Sequence, residues 1–171
     1  PYVSQLSDTK VVLLDTRTQR VLLASGEAVP YDRLVLAMGT RPRRLPHLEK
    51  SSRVRTLRTL EDARAIRNAL KEVKSLLVLG GGPIGLELAA TAASLGLRSA
   101  VVEQAPRLMG RSMPAAMAEL ILEHHRKNGM AIHLGRTIAS LDDAAGEAVL
   151  DDGRRESAEL VVVGIGVLAN D

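Results

Sequence analysis

The sequence contains no cysteine, no phenylalanine and no tryptophan, and its aromatic residues are Tyr2 and Tyr31 alone. Without thiols, disulfides, thiolate metal sites and a thiol redox centre are all excluded from this chain. Without aromatic faces there is no stacking surface for a single-stranded nucleic acid. An excess of charge of one sign is also missing. The 23 Lys and Arg stand against 20 Asp and Glu, for a net charge of +3. Such mixed charge describes an ordinary solvated surface, so no nucleic-acid partner is expected. The longest apolar stretch, Leu76–Leu97, carries one charge, Glu87, but Gly80, Gly81, Gly82 and Pro83 interrupt it after one strand's length. It reads as strand, turn and helix, and no membrane span is expected. No signal peptide is expected at the start, Pro1, which is not an initiator Met, and the absence of cysteine is compatible with the cytoplasm. That start suggests a fragment of a longer protein.

What is present is an aliphatic composition. With 46% hydrophobic residues in 171, a core can be built from Leu, Val, Ile, Ala and Met, enough for one domain or one domain and part of another. Val11–Leu14 and Val21–Ala24 read as short strands, and the continuous apolar run Leu34–Ala37 as a strand buried on both faces. Gly39, Pro42 and Pro46 then mark a loop. A helix is predicted from Thr59 to about Lys74, with Thr59 and Asp62 placed as a capping box and Ala63, Ile66, Leu70 and Val73 on one face.

From Ser75 the pattern is β–α–β: a buried strand Leu76–Leu79, a helix Pro83–Leu95 and a strand Ser99–Val102. A helix from about Pro114 to Lys127 stops at Asn128-Gly129. Strands follow at Ala131–Leu134, around Thr137–Leu141, around Glu147–Leu150 and at Leu160–Val163. The expected fold is α/β: a Rossmann-like domain with a small antiparallel β-meander over residues 59–171, and a β-rich remnant of a second domain over residues 1–58.

An internal echo supports that division. Leu14-Asp15, Gly26, Leu34-Val35-Leu36 and Gly39 are matched at equal separations by Leu141-Asp142, Gly153, Val161-Val162-Val163 and Gly166. Two copies of one unit are implied, each a small hairpin sheet followed by a buried strand and a glycine turn. A glycine-rich β–α–β precedes the second copy alone, so the equivalent half of the first is expected upstream of Pro1.

The chemistry-bearing motif is Gly80-Gly81-Gly82-Pro83-Ile84-Gly85, a G-x-G-x-x-G between a strand and a helix. Gly80 permits the tight turn, Gly82 lets a pyrophosphate approach the backbone, and Gly85 allows close helix–strand packing. The helix N-terminus offers unpaired N–H groups to the phosphates. Glu103, at the end of the next strand, stands where a carboxylate accepts hydrogen bonds from an adenosine ribose. It would repel a 2′-phosphate, and no Lys or Arg stands at Gln104 or Ala105, which favours NADH over NADPH. Glu87 either complements the helix dipole or reaches the nicotinamide end.

These residues carry a resemblance. The segment 80–89 is similar to the NAD-binding signature of the flavoprotein pyridine-nucleotide reductases, and 31–43 to the segment closing the first stretch of their FAD domain, with Met38 where that family usually has Thr. Segments 57–63, 102–109 and 163–167 resemble a narrower branch. That branch is the NADH-dependent ferredoxin reductases of bacterial aromatic-ring-hydroxylating dioxygenases, with rubredoxin and putidaredoxin reductases and apoptosis-inducing factor as relatives. The resemblance implies NADH held at Gly80–Gly85 and Glu103, its nicotinamide near Glu87 and Gly166, and FAD near Ala37, Gly39 and Arg43. It implies hydride transfer from NADH to FAD, then single electrons to a ferredoxin-type iron–sulfur partner. No catalytic acid, base or nucleophile is expected, since the cofactors carry the chemistry, and the fragment alone is expected to hold FAD poorly. Other acceptors (nitrite reductase, a disulfide, oxygen) and a non-catalytic NAD(H)-sensing module stay open. The sequence does not bear on oligomeric state.

The other polar features have plainer readings. Met117, Leu120, Ile121 and His124 share a helix face, so His124 reads as packed or capping. No metal site is expected, because no carboxylate–histidine set stands at ligand spacing. Asp142-Asp143 and Asp151-Asp152 read as turn formers. Arg41, Arg43, Arg44, Arg53, Arg55 and Arg58 read as a solvated loop surface, with docking of an acidic ferredoxin as the functional alternative.

Overall fold

A computed structural model describes residues 3–170; Tyr2 lies outside them. The chain divides into two compact units, one ending at Met38 and the other beginning at Gly39. In the first, β1 (Val11–Asp15), β2 (Arg20–Leu23) and β3 (Ala28–Pro30) form an antiparallel sheet in that order. The β1–β2 turn is held by Asp15, whose Oδ1 accepts from the N–H groups of Arg17 and Thr18 at 2.9 and 3.1 Å.

The run Leu34–Ala37 is not a strand, contrary to the sequence reading. Val35 is 85% exposed. A strand buried on both faces needs ladder partners on both sides, and the described residues pair none with this run.

The second unit is built on a five-stranded parallel sheet in the order β5 (Val54–Thr56), β12 (Leu160–Val163), β6 (Ser75–Leu79), β7 (Arg98–Glu103) and β8 (Ala131–Leu134). Every residue of β6 and β12 is buried, as their unbroken apolar runs require in a sheet covered on both sides. Alternate residues face opposite layers. Leu76, Val78, Val101, Leu160 and Val162 pack under three helices: α1 (Leu60–Ala69), α2 (Pro83–Ser94) and α3 (Ala115–Lys127). Leu77, Leu79, Ala100, Val102, Val161 and Val163 pack under the meander formed by β9 (Ile138–Asp142), β10 (Glu147–Leu150) and β11 (Arg155–Ser157). A two-stranded ribbon joins β4 (Thr40–Pro42) to β13 (Val167–Ala169). The sequence division at residue 58 therefore falls inside this unit, because β5 and β4 take their partners from residues 160–169.

The echo has a structural counterpart. The matched glycines share the left-handed region, Gly26 at φ +90° with Gly153 at +84°, and Gly39 at +76° with Gly166 at +102°. Each copy contains a three-stranded antiparallel sheet. Asp142, the counterpart of Asp15, likewise accepts a turn N–H, from Ala145 at 3.0 Å.

Helix α1 has the expected capping box, with Thr59 and Asp62 exchanging side chain–backbone bonds at 2.9 and 3.1 Å. It ends at Ala69 rather than near Lys74, since the chain must extend into β6 at Ser75. In α3 the buried residues are Ala118 and Leu122, while Met117, Leu120 and His124 are exposed. His124 is thus not packed; its Nε2 lies 3.3 Å from the Asn128 side-chain amide at the helix end. Arg53 is not a solvated loop residue either. Its side chain is 15% exposed, and it bonds Asp143 Oδ1 and the Asp142 carbonyl, tying β5 to the meander. No helix among the described residues is long and apolar enough to cross a membrane.

Candidate functional site

At the C-terminal end of the parallel sheet lies a cleft of about 860 Å³, lined by the glycine turn, the ends of β7 and β12, and the loops after β7 and β8. The turn is shaped from below. Gly80 has φ +108°, and a Cβ there would sit 2.4 Å from the Gly164 carbonyl oxygen. Its N–H donates to Val102 O at 2.8 Å, and Gly164 N–H donates to Leu79 O at 2.7 Å. A Cβ on Gly85 would lie 2.2 Å from Gly80 O and 3.1 Å from Val78 Cγ1, so α2 can press onto β6 only without a side chain there. Gly82 is different: a Cβ would meet nothing within 4 Å, and the position opens onto the cleft.

The α2 N-terminus is left available. Gly82 is its N-cap, Pro83 lies in its first turn, no side chain caps it, and its first turn holds no acidic residue. The contrast is with α1, whose capping box satisfies the same kind of donors internally. The first N–H groups of α2 and the positive end of its dipole thus face the cleft without an internal counter-group.

Glu103 performs a task that the sequence did not reveal. Its Oε2 accepts from Gly81 N–H at 2.6 Å and its Oε1 from Ala105 N–H at 2.7 Å. The carboxylate therefore clamps the glycine turn to the loop after β7 through charge-assisted bonds. Each oxygen keeps a further lone pair, and the side chain is half-buried at the cleft wall. Gly81 is constrained too: a Cβ would lie 2.5 Å from buried Leu108, and Gly81 O accepts from Met109 N–H at 2.9 Å.

Gly80, Gly81, Gly82, Pro83, Ile84, Gly85, Glu103 and Gly166 all line this one cleft, and Arg43 joins them. Arg43 N–H donates to Gly166 O at 2.9 Å, which holds the β4–β13 ribbon beside the end of β12. Gly39 belongs to the same unit and its carbonyl accepts from Asn170 N–H at 3.1 Å. Ala37 is exposed in the first unit. Glu87 is exposed on α2, beyond its first turn, and is not among the residues lining the cleft. Sequence reasoning missed Met109, Arg111, Arg136 and Gly164. Met109 could have been suspected from its place in the 102–109 resemblance, but no motif signals the two arginines.

Outside the cleft lining, two acidic groups are locally satisfied. Hydrogen bonds from the Arg154 guanidinium, with Arg136 also beside it, hold the Asp152 carboxyl well below the usual carboxylate range. Hydrogen bonds from Ser51 and Arg53 lower the pKa of the Asp143 carboxyl. The described residues contain no group of three or more His, Asp or Glu able to hold a metal ion. A smaller hollow of about 250 Å³ beside β5, bordered by Arg44, Arg55 and Asp62, stands apart from the glycine turn.

Comparison with known proteins agrees with this architecture. The chain is 43% identical over 162 residues to the ferredoxin–NAD(+) reductase component of the p-cumate 2,3-dioxygenase system of Pseudomonas putida, covering 94% of this chain and 40% of that protein. It is 40% identical over 178 residues to putidaredoxin reductase of Pseudomonas putida, covering 98% of this chain and 42% of that protein. Among solved structures, the ferredoxin reductase for the CYP199A2 system from Rhodopseudomonas palustris superposes with a TM-score of 0.80 at 37% identity, over 93% of this chain and 40% of that one. The chain thus spans about two fifths of the length of these relatives. The pyridine nucleotide-disulphide oxidoreductase model matches residues 2–171, and the chain belongs to that family.

Proposed function

We propose that this chain is the NADH-binding portion of a flavoprotein ferredoxin reductase that passes a hydride from NADH to FAD and single electrons to a ferredoxin-type iron–sulfur protein. The observation that carries the reading is the uncapped α2 N-terminus beside Gly82, with Glu103 on the neighbouring strand end. The residues fit the dinucleotide: an open glycine for the pyrophosphate, backbone donors for its charge, and a carboxylate with spare acceptor sites for the ribose. When bound, the cofactor pair supplies the hydride donor and acceptor.

This chain binds and orients. Gly82 admits the phosphates to the α2 N–H groups. Glu103 fixes both the turn and the ribose, and disfavours a 2′-phosphate. Gly166, on the far side of the turn, is the place for the nicotinamide. Toward FAD, the chain's contributions are Ala37, Gly39 and Arg43. Glu87 stands beyond the first turn of α2, exposed and outside the cleft lining, so its place favours neither dipole complementation nor approach to the nicotinamide.

A ferredoxin-type acceptor is supported by relatives named as ferredoxin–NAD(+) reductase and putidaredoxin reductase. No acceptor step through a thiol can run on this chain's own side chains, since it has no cysteine. We place the protein in the cytoplasm, where such reductase components meet NADH. The test is titration of the protein with NADH and NADPH, followed by fluorescence. Micromolar-range NADH binding with clearly weaker NADPH binding is expected; equal affinities would refute the assignment of Glu103.

A further inference from the structure

We propose that Arg136 is the platform on which the adenine of the dinucleotide lies, and that Asp152 is the residue that positions it; this rests on the NADH reading above. None of the residues lining the cleft is aromatic, and the chain's tyrosines are Tyr31, in the first unit, and Tyr2. A purine is a flat π-system, and the planar side-chain group best suited to lie against one without an aromatic ring is a guanidinium.

Three arginines line the cleft, and topology separates them. Arg43 and Arg111 flank Gly166: a Cβ there would lie 3.9 Å from Arg43 Cδ and 4.0 Å from Arg111 Nη1. Arg136 follows β8, and the order β12-β6-β7-β8 puts it across the glycine turn from Gly166. It adjoins the Glu103 end directly. Its N–H donates to Glu103 O at 3.1 Å, and Gly135 N–H donates to Ala105 O at 3.0 Å. With the ribose at Glu103, the base extends to this side.

The guanidinium is held from behind. Arg136 Nε lies 2.7 Å from Asp152 Oδ2, an ion pair whose N–H direction misses hydrogen-bond geometry, and Nη1 donates to Gly135 O at 3.1 Å. Asp152 is itself gripped by Arg154, whose Nε and Nη2 reach Oδ2 at 2.8 and 2.6 Å. Arg154 Nη1 lies 3.3 Å from His133 Nδ1, and His133 Nε2 lies 2.7 Å from Glu156 Oε1. Arginine can only donate, so His133 accepts at Nδ1 and donates from Nε2. This row of contacts runs from β8 and the turn between β10 and β11 to the cleft and fixes the plane of Arg136. Its side chain is 39% exposed, leaving one part free to meet a base. A fixed plane loses less freedom on binding.

The test uses the intact, flavin-loaded protein and two probes, NADH and reduced nicotinamide mononucleotide, which lacks the adenosine. Binding is titrated for the unaltered protein, Arg136→Gln, Arg136→Lys and Asp152→Asn. Both Arg136 variants should bind NADH about three- to thirtyfold more weakly, with mononucleotide affinity unchanged. Asp152→Asn should raise KM for NADH by a smaller factor at unchanged kcat. Full retention of NADH affinity by Arg136→Lys would show that charge alone acts there and overturn the platform. Equal losses for both probes would overturn it too, as a general structural effect. Unchanged NADH affinity in Asp152→Asn would remove the positioning role. Failure of the unaltered protein to bind NADH would overturn the cleft reading itself, and this proposal with it.

Discussion

Replacing Glu103 by Gln removes one negative charge at nearly constant length, and the structure separates the consequences. The carboxylate is an acceptor at both ends, facing Gly81 N–H at 2.6 Å and Ala105 N–H at 2.7 Å. An amide has one acceptor and one donor, so whichever way it turns, an NH₂ confronts a backbone N–H. One clamp bond is lost and the other becomes neutral. Hydrogen bonds to charged groups are worth about 1.5–3 kcal/mol, and this half-buried site is partly screened, so a stability loss of about 1–2 kcal/mol is expected. NADH binding loses the charge on its ribose acceptor as well as turn rigidity. A further loss of about 1.5–3 kcal/mol corresponds to roughly 10- to 100-fold weaker affinity. NADPH should be weakened less, because repulsion of its 2′-phosphate disappears together with the charge. Thermal unfolding without cofactor and fluorescence titration with each dinucleotide separate the effects. If Glu103→Gln lowers stability but leaves both affinities in their original ratio, Glu103 is a clamp and not a ribose ligand.

Gly82→Ala should leave the melting temperature unchanged, since its Cβ meets nothing within 4 Å, yet weaken NADH binding at least tenfold by blocking the pyrophosphate; retained affinity on titration would place the phosphates elsewhere. Gly85→Ala should do the reverse in origin, destabilising by about 1–3 kcal/mol because its Cβ would lie 2.2 Å from Gly80 O, a loss read by urea unfolding. Glu103→Arg should shift preference from NADH toward NADPH, but by less than a simple charge exchange suggests, because the clamp on Gly81 is lost as well; an unshifted ratio of affinities would count against the ribose assignment. Asp143, lowered by its bonds to Ser51 and Arg53, contributes stability above its ordinary value of 3.8 and loses it as pH falls through the lower folded value. The stability gap between the protein and Asp143→Asn, measured by urea unfolding, should therefore be constant above about pH 5 and close below pH 3.8.

What could be read from the sequence was what is local. The Thr59–Asp62 capping box, the β6–turn–α2 motif and the stop at Asn128-Gly129 are each specified by residues within a few positions of one another, and each is found. Strands of three residues such as β4, β5 and β13 escaped, because so short a segment is extended only by virtue of its partner, and those partners lie more than a hundred residues away. The same limit hid the second task of Glu103. Its position at a strand end is a local fact, whereas its bond to Gly81 depends on how β7 lies beside β6.

The two apolar runs of the echo make the point sharply. Leu34-Val35-Leu36 and Val161-Val162-Val163 follow matched hairpin sheets and precede glycines in the same left-handed conformation, so their sequence evidence is nearly equal. One is fully buried and the other is exposed. The difference lies in neighbours: β12 has β5 on one side and β6 on the other, whereas the described residues supply no ladder for the first run. Hydrophobic pattern states a capacity for burial, and a strand exists where two others complete its hydrogen bonds. The cleft follows from the same condition. Only because β12, β6, β7 and β8 lie side by side do Gly166, Gly82, Glu103 and Arg136, dispersed in sequence, come to stand along one edge, in the order that the proposed path of the dinucleotide requires.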